Sequence, residues 1–329
     1  MGKTNILDAI YYLSFCKSHS NSVDLQNIEH DADFFMLQGN YTLRDNDEEI
    51  FCGMKRRQKK HFKRNKKEYG RLADHIGLLP LVLVSPSDND LILDGSEERR
   101  KFMDSVISQY DHTYLNSLLQ YNNALKQRNA LLKDETIADD ALFEIWEEVM
   151  VQHGNYIHEQ RKAFIDQFIP IFQEIYAFIS TGNETVTLNY NSQLSQADLS
   201  QKLRINRQRD RLIGFSMNGI HKDDLEMMLG EYPMKRVGSQ GQKKTYIISL
   251  KLAQFNFLKR THGIAPLLLL DDIFDKLDAI RVKQIVKLVA SDNFGQIFIS
   301  DTNREHLDEI LSQIAQTTTV FQIENGEIV

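Results

Sequence analysis

The stretch APLLLLDDIFDKLD, at residues 265–278, is the part of this sequence that decides the fold. It begins with six apolar residues, and an unbroken apolar run of that length predicts a strand buried on both faces, as in a parallel sheet. Asp271 and Asp272 follow at once, and carboxylates at the carboxyl end of such a strand lie where open α/β sheets bind ligands. One carboxylate can hold Mg²⁺ while its neighbour orients or deprotonates a water molecule. A strand that ends in an ordinary polar turn is the alternative.

Two further segments point toward the same kind of site. The sequence QIFIS at 296–300 predicts another buried strand, with Asp301 at its carboxyl end. Gly2, Lys3 and Thr4 open a helical pattern, and Gly-Lys-Thr at a helix start is the second half of a phosphate-binding loop, G-x-x-x-x-G-K-[ST]. In that interpretation Lys3 reaches the β- and γ-phosphates, and the Thr4 hydroxyl binds Mg²⁺. Three residues are a weak motif, and chance occurrence is the alternative.

The sequence SQGQ at residues 239–242 precedes a strongly periodic helix. Ser239 followed by Gln242 three residues later predicts a capping box, which is a sufficient structural explanation. The functional alternative is an exposed hydroxyl, glycine amides and a helix dipole that together face an anion. That arrangement would sense a γ-phosphate.

Composition limits the functional classes. The chain has 329 residues, enough for about two domains. Its two cysteines form neither a disulfide framework nor a metal cluster, so we expect a cytoplasmic protein, and no apolar run is long enough for a membrane span. The net charge of −7 argues against nucleic-acid binding, but residues 55–71 contain 10 Lys or Arg and one acidic residue. This basic segment predicts either a hairpin that contacts nucleic-acid phosphates or an exposed, solvated ribbon.

The rest of the chain divides by pattern. Strands are predicted within 33–52 and at 81–84, and residues 96–182 are nearly all helical, which indicates an inserted helical arm. Ser96 is expected to cap the first arm helix, and Pro170 to kink or end the last one. The notable polar residues of the arm, most of them expected to be solvated, are Arg99, Arg100, Gln127 and Arg128.

Taken in order, the motifs GKTN, SQGQ, LLLLDD and DKLD resemble the ATP-binding-cassette ATPases related to SMC proteins. The sequence is similar to the RecF family of recombination mediators over nearly its whole length, most clearly at residues 2–20, 85–133, 219–225 and 238–254. The resemblance implies an α/β fold, an ABC/SMC-like P-loop ATPase head with an inserted helical arm. We predict that residues 1–84 and 205–329 form the head and that 85–204 form the arm.

The resemblance also implies cofactors, ATP and Mg²⁺, and roles for individual residues. Asp272 would polarise the attacking water, with Lys3 as the second catalytic residue, and Thr4 and Asp271 would serve the metal. SQGQ would complete the ATP site of a second protomer, so that ATP is held between two subunits of a homodimer. The residues implied in nucleotide binding are Gly2, Lys3, Thr4, Asn5, Ser239, Gln240, Gly241, Gln242 and Asp278.

The function that the resemblance implies is ATP-dependent DNA binding in recombinational gap repair and replication-fork maintenance. The protein would be a slow ATPase that binds duplex DNA near single-strand gaps and works with RecO and RecR to load RecA. A DNA-binding scaffold that does not hydrolyse ATP, or another SMC-like ATPase, are the alternatives.

There are departures from the family pattern, because Asp275 stands where the family usually has Ser, and the first half of the phosphate-binding loop is absent from this sequence. We expect an unanchored Gly2 and Lys3 and therefore weak or no ATP binding by this chain, with the natural protein beginning a few tens of residues upstream. Whether it is an ATPase is left open at this stage.

Overall fold

A computed structural model of the chain describes residues 2–21, 23–134, 140–182, 184–274, 277–290, 294–301, 317–324 and 326–329. The helices in these residues are α1 (Lys3–Phe15), α2 (Asp90–Leu93), α3 (Ser96–Tyr110), α4 (His112–Lys133), α5 (Asp140–Ser180), α6 (Leu199–Ile213), α7 (Met234–Val237), α8 (Gln240–His262) and α9 (Ala279–Val289). The strands are β1 (Phe34–Leu43), β2 (Asn46–Lys55), β3 (His61–Arg64), β4 (Lys67–Glu68), β5 (Leu81–Val84), β6 (Val186–Asn191), β7 (Asp224–Leu229), β8 (Tyr232–Pro233), β9 (Leu267–Asp271), β10 (Ile297–Ser300), β11 (Ile323–Glu324) and β12 (Glu327–Ile328). None of the described helices is both long and apolar enough to cross a membrane.

The chain divides into two compact units, Met1–Pro86 with Leu258–Val329, and Ser87–Phe257. In the first unit, β9 is the central strand of a parallel sheet with the order β10-β9-β5. Its leucines at 268–270 are fully buried, which confirms the strand predicted from the apolar run. Helix α1 packs on this sheet through Leu7, and each leucine buried there contributes about 1.5–3 kcal/mol.

The first unit also contains an antiparallel sheet with the order β1-β2-β3-β4. Strands β3 and β4 form the hairpin predicted for the basic segment, and Asn65 and Lys66 turn the chain with φ values of 49° and 68°. Under this sheet Tyr12 and Leu13 of α1 pack with the two free, buried cysteines. Burial raises the pKa of each cysteine thiol, Cys16 and Cys52, to about 12.

The second unit combines long helices with the antiparallel sheet β6-β7-β8. Helix α5 runs to Ser180 and does not end at Pro170, because the turns on both sides of the proline are anchored in the core. Phe168 and Phe172 flank it and are both fully buried, and their burial outweighs the roughly 3 kcal/mol that an interior proline costs. The predicted cap at Ser96 is wrong, because Gly95 is the cap and Ser96 is the first helical residue.

The compact units differ from the three predicted segments at the second boundary, because residues 205–257 pack with the helical unit. Strand β7 pairs with β6 along its whole length. Arg128 of α4 is fully buried and pairs with Asp210 of α6 at 2.8 Å. The expectation that the polar arm residues are solvated is therefore wrong for Arg128, and also for Arg99, which pairs with Asp224.

Candidate functional site

The start of α1 lies at the carboxyl end of the parallel sheet. Gly2 caps the helix with φ 112°, a left-handed conformation that glycine adopts without strain. Lys3 Nζ donates a hydrogen bond of 2.7 Å to the backbone carbonyl of Asp301, the residue that follows β10. The structure thus places the predicted phosphate-binding lysine beside the strand ends, and Asn5 is exposed one turn into the same helix.

Next to Lys3, oxygen atoms of three side chains meet at the end of β9: those of Thr4, Asp271 and Ser300. Asp271, the last residue of β9, is 7% exposed, and its Oδ1 accepts the Thr4 hydroxyl at 3.3 Å. The same Oδ1 accepts the Ser300 hydroxyl at 2.5 Å. Carboxylate and hydroxyl oxygens are the ligands that Mg²⁺ prefers, so the donor set at Asp271 and Thr4 fits a magnesium site. Sequence reasoning identified both of these residues but not Ser300.

Asp272 follows at the point where β9 ends. Its N–H donates to the carbonyl of Ser300 at 3.2 Å, and its φ of 52° lies in the left-handed region, where Asp is one of the better tolerated residues. The turn breaks the strand alternation directly after Asp271. The two neighbouring carboxylates therefore occupy different backbone environments, one inside the sheet and one at its edge, as different roles would require.

The start of the chain is anchored, which corrects the expectation that nothing holds Gly2 and Lys3. A Cβ placed on Gly2 would lie 3.1 Å from Cα of Gly326 and 3.3 Å from a methyl carbon of Ile323, so the backbone passes close to the β11–β12 hairpin. Lys3 and Thr4 are held by the hydrogen bonds given above. The expectation that Gly2 and Lys3 are unanchored is therefore wrong, while the expected ATP affinity itself stays a prediction.

In the second unit, SQGQ forms the predicted capping box at the start of α8. The Ser239 N–H donates to Gln242 Oε1 at 2.7 Å, and the Gln242 N–H donates to Ser239 Oγ at 3.2 Å. Gln242 Nε2 also donates to Glu184 at 2.9 Å, a contact that the sequence gave no reason to expect. Ser239 and Gln240 are exposed and Gly241 is half-buried, so this 23-residue helix presents its positive end to solvent.

Asp278 is the cap of α9, because its carboxylate accepts the N–H of Arg281 at 2.9 Å. This bond accounts for an aspartate at that position without any ligand. Asp275, the departure from the family pattern, lies outside the described residues.

The basic segment separates into paired and unpaired cations. Lys60 Nζ is bound by Asp24, by the Tyr12 hydroxyl and by the Cys16 carbonyl, and Arg64 is bound to Glu48. Exposed cations of the segment with no side-chain partner among the described residues are Lys55, Arg57, Lys59, Lys66 and Lys67. Charge alone could not make this distinction, and it decides which side chains are available to a polyanion.

The segment GIHKDDL, residues 219–225, lies in a buried polar network of the second unit. His221 Nε2 lies 3.0 Å from the Ser216 carbonyl and must donate to it, so its Nδ1 accepts the Tyr121 hydroxyl at 2.8 Å. Burial lowers the pKa of His221 to about 4, which keeps the ring neutral. Asp223 is fully buried and accepts from Arg161 at 2.8 Å and from Tyr190 at 2.6 Å. The buried hydrogen bonds of His221 and Asp223 account for these residues by their role in the fold, without any ligand.

Known proteins of one family match the chain over almost its whole length, although no family model matches. DNA replication and repair protein RecF of Bacteroides thetaiotaomicron is 61% identical over 329 residues, which cover 100% of this chain and 89% of that protein. RecF of Porphyromonas gingivalis is 48% identical over 330 residues, with 90% of that protein covered.

Solved structures agree. The recombination mediator protein RecF-ATPrS in the RecFOR pathway matches with a TM-score of 0.87 at 28% identity, covering 99% of this chain and 88% of that one. RecF-ATP in the same pathway matches with a TM-score of 0.83, also at 28% identity, over 92% and 84% of the two chains. An Smc head domain from Pyrococcus yayanosii, at 14% identity and a TM-score of 0.54 over 99% and 89%, shares the fold.

Proposed function

Because the chain belongs to the RecF family of DNA replication and repair proteins, we propose that it is an ATP-dependent DNA-binding protein of recombinational gap repair and replication-fork maintenance. The observation that carries this proposal is the meeting of Lys3, Thr4 and Asp271 at the carboxyl end of one parallel sheet, with Asp272 as the next residue of the chain. Ligands of open α/β sheets bind at that edge. The fold is that of an SMC-like ATPase head with an inserted helical arm.

In this proposal ATP lies at the start of α1. Gly2 and Asn5 would line the nucleotide, and Lys3 would exchange the Asp301 carbonyl for phosphate oxygens, which are stronger partners for an ammonium group because they are charged. Thr4 and Asp271 would hold Mg²⁺. The metal would neutralise charge on the phosphates during transfer to water.

Asp272 would position and polarise the attacking water. It lies just beyond the buried strand and is half-buried, so it can reach solvent while its backbone is held by Ser300. The SQGQ segment would complete the site of a second protomer, because an exposed hydroxyl and helix N-terminus suit a γ-phosphate. Asp278 would lie in the same interface. These features support a homodimer that forms on ATP and separates after hydrolysis.

DNA would bind through the unpaired cations of the basic segment, and duplex next to a single-strand gap is the proposed target. Similarity to a recombination mediator of the RecFOR pathway supports RecO and RecR as partners, with RecA loading as the outcome.

Replacement of Asp272 by asparagine tests the proposal. Asparagine keeps the size of the side chain and tolerates a φ of 52°, but its amide is a poor base. Asp272→Asn should abolish ATP hydrolysis, leave Mg·ATP binding largely intact and accumulate an ATP-bound dimer on size-exclusion chromatography.

The matched control is Asp45→Asn, because Asp45 is an exposed aspartate with φ 64° in the β1–β2 turn. It should hydrolyse ATP like the parent. A parent that binds ATP without turnover would support the scaffold alternative, and an Asp272→Asn variant that hydrolyses ATP like the parent would refute the role of Asp272.

A further inference from the structure

A buried serine hydrogen-bonds to both aspartates of the proposed ATP site, to the carboxylate of one and to the backbone N–H of the other. Ser300 is the last residue of β10, is 9% exposed, and is paired with Asp271 in the parallel register. Its hydroxyl donates to Asp271 Oδ1, and its carbonyl accepts the N–H of Asp272. We propose that Ser300 is a positioning residue that orients the metal-binding carboxylate, an inference that rests on the proposed function.

The Ser300 hydroxyl makes the shorter and better shielded of the two hydroxyl contacts to Asp271 Oδ1. At 2.5 Å it has the length of a charge-assisted O–H···O⁻ bond, whereas the Thr4 contact is 3.3 Å long. Ser300 is also buried, while Thr4 is exposed to solvent. Water therefore competes with the threonine bond much more than with the serine bond, so Ser300 determines the orientation of the carboxylate.

The choice of oxygen matters for the metal. Both hydroxyls donate to Oδ1 of Asp271, and neither engages Oδ2. A carboxylate has about four lone-pair sites on its two oxygens, so Oδ2 keeps its capacity for Mg²⁺ or for a water bound to Mg²⁺. Partners of this kind orient a ligand before the metal arrives, and their loss typically lowers metal affinity about 10- to 100-fold.

The side chain of Ser300 binds the Asp271 carboxylate and its carbonyl binds the Asp272 backbone, so a substitution can separate the two contacts. Ser300→Ala removes the hydroxyl on Asp271 but retains the carbonyl that holds Asp272. The variant should therefore alter the dependence of ATP binding on Mg²⁺ and leave metal-free binding unchanged. A serine that only stabilised the fold would alter both or neither.

The experiment measures ATP affinity by isothermal titration over a series of free Mg²⁺ concentrations and in EDTA. Ser300→Ala should raise the Mg²⁺ concentration for half-maximal effect by about tenfold or more, with unchanged affinity in EDTA. If the alanine variant does not fold, Ser300→Cys replaces it, because cysteine keeps the size of the side chain but has only a weak donor. It should show the same rise in the Mg²⁺ concentration for half-maximal effect. Ser300→Thr retains a hydroxyl and should restore the parent value.

Ser14→Ala is the matched control, because Ser14 is a buried serine of the same unit that donates to the Leu79 carbonyl at 2.6 Å, outside the site. It should leave the Mg²⁺ dependence at the parent value. An unchanged Mg²⁺ dependence in Ser300→Ala or Ser300→Cys, with a parent that binds Mg·ATP, would overturn the positioning role alone. A parent without Mg²⁺-dependent ATP binding would overturn the proposed function together with it.

Discussion

The basic segment allows a quantitative test of DNA binding in which the structure selects the residues. From charge alone Lys59, Lys60, Lys63 and Arg64 would be equally good candidates. The structure removes Lys60, whose ammonium group is bound inside the protein and is 12% exposed, and Arg64, which is bound to Glu48. The perturbation is therefore made in two pairs of exposed cations, Arg57 with Lys59 and Lys66 with Lys67, each changed to Gln.

The magnitude follows from counterion release. Each phosphate contact contributes about 0.9 to the slope of log affinity against log salt on duplex DNA, so a pair that makes two contacts contributes about 1.8. Over a fourfold rise in salt, from about 50 to about 200 mM, the parent then loses about 12-fold more affinity than either pair variant. The loss should be similar on unrelated sequences, because phosphate contacts carry no base information.

The assay is fluorescence anisotropy of a labelled duplex at several salt concentrations. The matched control is Arg204→Gln with Arg209→Gln, which removes the same charge from exposed residues of α6 that have no side-chain partner in the part of the chain that the structure describes. It corrects for the change in net charge and should leave the slope within about 0.9 of the parent value. Two pair variants with the parent slope and affinity would refute the reasoning and leave the hairpin as a solvated surface.

Two further predictions concern the stability of each unit. Arg128→Met should lower the free energy of unfolding by about 3–5 kcal/mol, because it leaves the fully buried Asp210 without its cation. Urea unfolding followed by the fluorescence of the single tryptophan, Trp146, measures this change. The control is Lys126→Met at an exposed position, which should change the free energy of unfolding by less than about 0.5 kcal/mol. Burial lowers the pKa of His75 to about 4 in the folded protein. The contribution of the neutral ring to the free energy of unfolding is therefore complete above the unfolded-state pKa of about 6.5. It is lost as the pH falls toward 4, a total of about 3 kcal/mol at about 1.4 kcal/mol per pH unit. Urea unfolding followed by circular dichroism at about pH 7.5 and pH 5 should therefore show a smaller decrease for His75→Gln than for the parent, and equal decreases would contradict the assignment.

The parts of the fold that the sequence predicted are those that local chemistry determines. The leucines before Asp271 could be interpreted as a buried strand because no exposed strand tolerates so many apolar side chains in succession. The capping box at Ser239 and Gln242 was also predictable, because both of its hydrogen bonds join residues three apart. In each case the pattern that gives the prediction lies within one element or one turn.

Prediction failed where the deciding partner is distant in the chain. Arg128 had the sequence context of a solvated arginine, but its partners Glu147 and Asp210 lie 19 and 82 residues away and are brought to it by two other helices. Pro170 similarly had the context of a helix end, yet aromatic packing on both sides keeps the helix intact. A buried ion pair and a tolerated proline both depend on tertiary packing, which outweighs local propensity.

Ser300 shows why a site can be located from sequence before its full set of residues is known. The two carboxylates indicate a site, because charged residues directly after a buried apolar strand are unusual. A serine at the end of a strand is common and indicates nothing. Its relation to Asp271 is created by register, since a slip of one residue between β9 and β10 would turn its side chain to the opposite face of the sheet. That register is fixed by Ile297, Phe298 and Ile299 pairing with three buried leucines. The apolar residues that form the sheet therefore also set the geometry of the proposed metal site.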